Sequence, residues 1–107
     1  MPALTIPNCP PHTDADSITL REARDRGYVT HNGGRVDLMT LRRWCSKGCR
    51  ILAGGQLYLF PSVRSGRERL TTRARCEAWT RFVEQLRGEA ARAQAETLSA
   101  VRQAARK

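Results

Sequence analysis

The segment from Asp37 to Gly48 constrains the fold more than any other part of this 107-residue chain. Four apolar residues recur in it at i, i+3, i+6 and i+7: Leu38, Leu41, Trp44 and Cys45. This spacing predicts one apolar stripe on an α-helix over 38–47. Asp37 is a suitable N-cap, and Gly48 is a suitable stop. We therefore expect Trp44 to anchor this helix in a hydrophobic core.

The other side of the predicted helix carries cations and a hydroxyl group. Thr40, Arg43 and Lys47 share a face at i, i+3 and i+7, and Met39 and Arg42 lie at its edges. A helix with one packing side and one cationic side suits the major groove of DNA. Base edges would be read by the side chains at the front of the helix: Met39, Thr40 and Arg43.

The positive charge of the chain is concentrated around this helix. The whole chain has 19 Lys and Arg, 10 Asp and Glu, and a net charge of +9. Residues 38–75 hold nine bases and one acid, a net charge of +8, whereas residues 1–37 hold four bases and five acids. Such a block is typical of a protein that neutralises phosphates. A solvated surface that only maintains solubility is the alternative.

Two elements are predicted before the central helix. Residues 1–16 contain four of the five prolines and no apolar period, which predicts an irregular arm. Thr19 and Glu22 have the spacing of a capping box, which predicts a short helix over 20–26. A turn is predicted at 31–34, where Asn32 is followed by two glycines.

A β-hairpin and a last helix are predicted after it. Residues 56–60 are β-prone, and residues 63–67 have the composition of a hairpin tip, with 69–71 as the return strand. Three arginines project from the hairpin, at positions suited to a phosphate backbone or a minor groove: Arg64, Arg67 and Arg69. Thr72 is a suitable cap for the helix that follows, and Gly88 is expected to weaken that helix.

The remaining residues indicate neither catalysis nor a cofactor. The four cysteines (Cys9, Cys45, Cys49 and Cys76) lack the paired spacing of a structural zinc site, so we expect reduced thiols and no metal. No catalytic residue, nucleophile–base pair or phosphate-binding loop is recognisable, so we do not expect an enzyme. With no membrane segment or secretory signal in the sequence, we expect a cytoplasmic, nucleoid-associated protein.

Three runs resemble the excisionase-like, MerR-type winged helix-turn-helix family, and in particular a bacterial family of unknown function with a longer wing. They are Ser17-Ile-Thr-Leu-Arg-Glu-Ala, Leu38-Met-Thr-Leu-Arg-Arg-Trp-Cys-Ser-Lys-Gly, and Thr71-Thr-Arg-Ala-Arg-Cys-Glu after the arginine hairpin. The resemblance implies a mostly α fold with a small β-hairpin wing and a C-terminal helical extension. Its domains would be an arm at 1–16, a DNA-binding domain at 17–87 and an Ala-rich helical tail at 88–107.

The resemblance also implies a function and a set of contacts. The expected function is sequence-specific binding of double-stranded DNA by a phage or mobile-element protein. It would act either as an excisionase-type recombination directionality factor or as a small transcriptional regulator. The expected DNA contacts lie on the recognition helix and on the wing: Met39, Thr40, Arg42, Arg43, Lys47, Arg64, Arg67 and Arg69.

The Ala-rich C-terminal helix leaves a second interpretation open. Its thin apolar stripe is compatible with a solvent-exposed or fraying helix, or with a helix that binds a partner or another copy of the chain. In that alternative the protein is an interaction or assembly protein that recruits a site-specific recombinase or acts as a small packaging subunit. Weak self-association on DNA is a further expectation of the same kind.

Overall fold

The computed structural model describes residues 3–31 and 33–105, and Asn32 of the predicted turn lies outside them, as do both ends of the chain. About half of the residues are helical and about 22% are in strands. The elements in chain order are β1 (Leu4–Thr5), β2 (Ser17–Thr19), α1 (Leu20–Asp25), β3 (Thr30–His31), β4 (Gly34–Arg35), α2 (Leu38–Ser46), β5 (Cys49–Arg50), β6 (Leu57–Leu59), β7 (Val63–Ser65), β8 (Glu68–Thr72) and α3 (Arg73–Ala105).

The predicted fold class, a mostly α winged helix-turn-helix with a single hairpin wing, is wrong. The strands of the described residues form three sheets, with orders β1-β6-β5, β2-β8-β7 and β3-β4. The predicted hairpin is only part of the second sheet. Strands as short as Leu4–Thr5 and Cys49–Arg50 show no alternating pattern in the sequence. Both form because pairing with β6, distant from β1 in the sequence and close to β5, satisfies their backbone groups.

The proline-rich arm contributes to the first sheet and to the core. Leu4 and Thr5 pair in parallel with Tyr58 and Leu59 of β6, and the next residue, Ile6, is only 4% exposed. These contacts fix the arm against the domain that the sequence analysis placed after it.

The second sheet joins the hairpin to α1. Strand β8 pairs with β7 on one side and with β2 on the other, and Thr19 lies opposite Leu70. The Thr72 hydroxyl, at the end of β8, accepts a hydrogen bond from the Arg75 amide at 3.2 Å, which confirms Thr72 as the cap of α3. This sheet therefore holds the first turn of α1 beside the hairpin.

The two short helices lie close to their predicted bounds. The Thr19 hydroxyl accepts a hydrogen bond from the Glu22 amide at 3.1 Å, which confirms the cap of α1. Asp37 occupies the N-cap position of α2, but its side chain makes no capping hydrogen bond. Gly48 follows α2 with φ 96°, and a Cβ there would lie 3.2 Å from the Tyr58 carbonyl oxygen, so both the backbone and the space require glycine.

Aromatic packing joins α2, α3 and the segment after β6. Trp79 lies 5.7 Å from Trp44 and 5.4 Å from Phe60 between ring centroids. Trp44 is 6% exposed, which confirms it as the core anchor of α2. The core is centred between these three rings and the buried Leu41.

The last helix is continuous from Arg73 to Ala105 and crosses Gly88, where the sequence analysis began the tail. Its first half packs on the core through Cys76 and Trp79, whereas residues 91–105 are all exposed. The helix gives the molecule its long dimension, 64 Å against 29 and 24 Å.

Candidate nucleic-acid interface

An open cleft of about 520 Å³ lies between the start of α1, the side of α2 and the β7–β8 hairpin. Arginines from all three places line it: Arg21, Arg42, Arg64, Arg67 and Arg69. We call this set the arginine cleft. Glu68 is the single acidic residue in the lining, so the cleft is strongly positive.

The hairpin supplies three of the five arginines because of its register. Arg64 of β7 lies directly opposite Arg69 of β8, so their side chains share one face of the sheet. Gly66 and Arg67 form a two-residue loop, and Gly66 takes the positive φ (60°) that such a tight turn requires. Arg67 is therefore presented at the tip.

The helices supply the other two arginines. Leu38, Arg42 and Ser46 follow one another at i, i+4 and i+8, so one side of α2 forms a wall of the cleft. Arg21 stands in the first turn of α1, which the pairing of Thr19 with Leu70 holds beside the hairpin.

The five arginines have no ion-pair partner among the described residues. Within the part of the chain that the structure describes, the four ion pairs join other residues: Arg24–Asp25, Arg26–Glu22, Arg35–Asp25 and Arg73–Glu77. None of the side-chain hydrogen bonds found there uses the guanidinium group of a cleft arginine, and Arg42 takes part only through its carbonyl oxygen, which accepts from the Ser46 hydroxyl. Their guanidinium groups are therefore free to bind an external anion.

The remaining predicted contacts lie outside the cleft, on α2. Met39, Arg43 and Lys47 are exposed and follow one another at i, i+4 and i+8, which places them on one side of the helix. We call these three residues the α2 ridge. Thr40 is half-buried and lines neither the cleft nor the ridge. The predicted site thus divides into two surfaces that share a helix.

Arg21 is the binding candidate that the sequence analysis missed. Its segment, residues 1–37, has slightly more acids than bases, so charge counting gave no signal there. The capping box at Thr19 does indicate that Arg21 starts a helix. Only the long-range pairing of β2 with β8 shows that this helix starts beside the hairpin.

Aromatic side chains are absent from the lining of the cleft. All six aromatic residues of the chain are buried or half-buried: Tyr28, Trp44, Tyr58, Phe60, Trp79 and Phe82. Tyr58 and Phe82 pack edge to face, with centroids 4.8 Å apart. The basic surface therefore offers no ring on which an unpaired base could stack.

Three of the four thiols, those of Cys45, Cys49 and Cys76, do not line the cleft and are poor nucleophiles. Burial raises the pKa of Cys76 to about 11, and burial also raises the pKa values of Cys45 and Cys49. Because the thiolate is the reactive form, these residues are protonated and unreactive at neutral pH. The described ranges contain no cluster of three His, Cys, Asp or Glu side chains placed to hold a metal ion.

Comparisons with protein families, with curated proteins and with solved structures gave no match for this chain. The likeness to the excisionase-like family therefore stays a prediction. Among the described residues, no helix combines the length and the apolar character needed to cross a membrane.

Proposed function

We propose that this protein binds double-stranded DNA through the arginine cleft and the α2 ridge. The observation that carries the proposal is the convergence of five arginines from three elements on one cleft, where none of them forms an ion pair with a described carboxylate. Guanidinium groups present a fork of N–H donors that matches phosphate oxygens, so the cleft suits a phosphodiester backbone.

The hairpin supports an anionic ligand on energetic grounds. Like charges directly opposite each other in an antiparallel pair destabilise a sheet, and Arg64 faces Arg69 in this way. A bound phosphate between them would replace that repulsion with two attractive contacts. The hairpin should therefore be more stable with a phosphate bound between the two arginines than without it.

The position of the aromatic residues favours a duplex over a single strand. Proteins that bind single-stranded nucleic acids stack the bases on exposed aromatic rings. Here the rings pack into the core, as Trp44 and Phe60 do, and none lines the cleft. Backbone contacts without stacking are typical of binding to a double helix.

The two surfaces suit two parts of a duplex. The major groove is about 12 Å wide and admits one α-helix. Arg42 points from α2 into the cleft, whereas Arg43 lies on the neighbouring ridge. With a phosphate strand in the cleft, the ridge would face the base edges in the adjoining groove.

Salt-dependent binding tests the proposal. Fluorescence anisotropy with a labelled duplex should show that log affinity falls linearly with log salt, with a slope of about −4.5 if all five arginines neutralise phosphates. The same length of single-stranded DNA serves as the control and should bind more weakly. Equal affinity for both, or a slope near zero, would contradict the proposal.

The biological role divides into two candidates within this proposal. An excisionase-type directionality factor shapes DNA for a recombinase, whereas a small transcriptional regulator occupies its site and need not bend it. Circular-permutation gel shifts on a selected binding site measure the bend. A large bend supports the recombination role, and an unbent complex supports the regulatory role.

The exposed end of α3 supports a second candidate, an interaction or assembly protein. Leu98 and Val101 are 52% and 60% exposed on a helix that leaves the core, so they are available to a partner or another copy. Light scattering of the full chain with Leu98→Glu and Val101→Glu tests this. If the natural protein assembles and the double variant does not, with unchanged duplex affinity, assembly through α3 is supported. If the natural protein and the double variant are both monomers, assembly through α3 is contradicted.

A further inference from the structure

Met39 is the most exposed large hydrophobic side chain in the described part of the chain, at 72%. Of the other apolar residues of α2, Leu41, Trp44 and Cys45 are buried, and Leu38 is half-buried beside the cleft. Met39 therefore contributes little to the core, although it lies on the helix that contributes most to the proposed interface. Its place on a cationic surface calls for a role in binding.

The position of Met39 on α2 separates it from the phosphate contacts. It lies in the first turn, and Arg43 lies one turn later on the same ridge, while Arg42 turns into the cleft. When a helix enters the major groove, the residues near its N-terminus contact base edges. On such a helix Met39 would reach the base edges, and its thioether has neither a hydrogen-bond donor nor a positive charge with which to bind phosphate.

One chemical group in the major groove matches such a side chain. Among the four bases, thymine alone presents an apolar group there, its C5 methyl. Methionine is flexible and polarisable, so it adapts to a small apolar contact. We propose that Met39 recognises the 5-methyl group of a pyrimidine next to a base pair contacted by Arg43. This inference rests on the proposed binding of duplex DNA.

The test removes one methyl group at a time. The purified full chain selects a binding site from random duplexes, and each thymine of that site is then replaced by uracil, which lacks only the methyl. Loss of one buried methyl should weaken binding about fourfold at one position. The variant Met39→Ala should bind the thymine and uracil duplexes equally. A second series replaces cytosines with 5-methylcytosine, which shows whether the same contact is available to a methylated cytosine.

Two control variants keep the result interpretable. Leu4→Ala shortens another exposed apolar side chain, 51% exposed on β1 and outside the proposed surfaces, and should leave the uracil effect unchanged. Met39→Leu should keep most of the effect, because it retains an apolar side chain of similar size. Circular dichroism should show an unchanged fold for all three variants.

The outcomes separate the inference from the proposed function. Equal sensitivity to uracil in the natural protein and in Met39→Ala overturns the inference while duplex binding stands. Failure of the natural protein to bind any duplex with salt dependence overturns the proposed function instead. The methyl contact is supported if replacing one thymine by uracil lowers duplex affinity about fourfold in the natural protein and in the control variants, and has no effect in Met39→Ala.

Discussion

Three arginines near the end of α1 and on β4, Arg24, Arg26 and Arg35, differ from those of the arginine cleft in their partners. Arg24 and Arg35 both contact Asp25, and Arg26 lies 3.5 Å from Glu22. The cleft arginines, among the described residues, contact no carboxylate within ion-pair distance. The first surface is largely neutralised, because its three arginines contact two carboxylates, and the cleft is left positive.

This difference shows that the placement of acids, more than the number of bases, defines the candidate site. Exposed ion pairs contribute about 0–1 kcal/mol to folding, so the paired arginines have at most a small structural role. Unpaired arginines add self-repulsion to the folded state, as the pair Arg64 and Arg69 does. Their convergence on three adjoining elements does not favour stability, and it is the feature from which we propose a polyanionic ligand.

The largest expected effect on DNA binding comes from removing three positive charges from one surface or from the other. Replacing Arg42, Arg64 and Arg67 together by glutamine should reduce the salt slope by about 2.7. At about 1 kcal/mol per lost contact, duplex affinity should fall by more than a hundredfold. The matched triple variant, with Arg24, Arg26 and Arg35 changed to glutamine, should bind as the natural protein does. Equal losses in the two triple variants would remove the distinction between the surfaces.

Helix α1 allows the same comparison between an unpaired and a paired arginine with single substitutions. Arg21 lies in the first turn of α1 and Arg26 follows its last residue, and of these two only Arg26 has an ion-pair partner among the described residues. Arg21→Gln should lower the salt slope by about 0.9 without changing the preference among DNA sequences, since phosphate contacts carry little sequence information. Arg26→Gln is the control and should leave the slope unchanged. Anisotropy titrations at several salt concentrations measure both.

The opposed arginines of the hairpin predict a smaller effect, on stability. Arg64→Thr removes the like-charge pair and places a residue with high β-propensity in β7, so the free energy of unfolding should rise by about 0.2–1 kcal/mol. DNA affinity should fall in the same variant. Urea denaturation measures the first quantity, and a less stable variant would show that Arg64 has a structural role in the free protein.

The smallest effect concerns the paired surface and its pH dependence. Hydrogen bonds from Arg24 and Arg35 lower the pKa of Asp25 below its usual value of 3.8. Because the folded pKa is the lower one, the stabilisation is present above about pH 4 and is lost as the pH falls through the folded pKa. The stability difference between the natural protein and Asp25→Asn should therefore be present at pH 6 and shrink at pH 3 in urea denaturation. A stability difference of the same size at pH 3 would show that it does not come from the ionised Asp25 carboxylate.

Local features of the sequence predicted the local features of the structure. The apolar stripe of α2, the caps at Thr19 and Thr72 and the arginine hairpin depend on neighbours a few residues apart, and all of them are present. The helical period of α2 also separated its buried side from its charged side. Four of the eight predicted contacts line one cleft.

Long-range pairing accounts for what the sequence did not reveal. The β2–β8 and β1–β6 pairs join segments about 50 residues apart, and neither β1 nor β2 has a pattern of its own. The fold class was therefore wrong, and Arg21 was left out of the site. The split between cleft and ridge was also missed, because it depends on where the hairpin lies relative to α2.

Gly88 gives α3 two regions that differ in local stability. A Cβ at Gly88 would meet nothing within 4 Å, and glycine in a helix interior costs about 1 kcal/mol relative to alanine. Residues before Gly88 are tied to the core through Trp79 and Phe82, while residues 91–105 are exposed. Backbone amides near Trp79 should therefore exchange hydrogen with solvent only when the whole protein unfolds. Amides beyond Gly88 should exchange through local opening, so one continuous helix would contain two separate units of cooperativity.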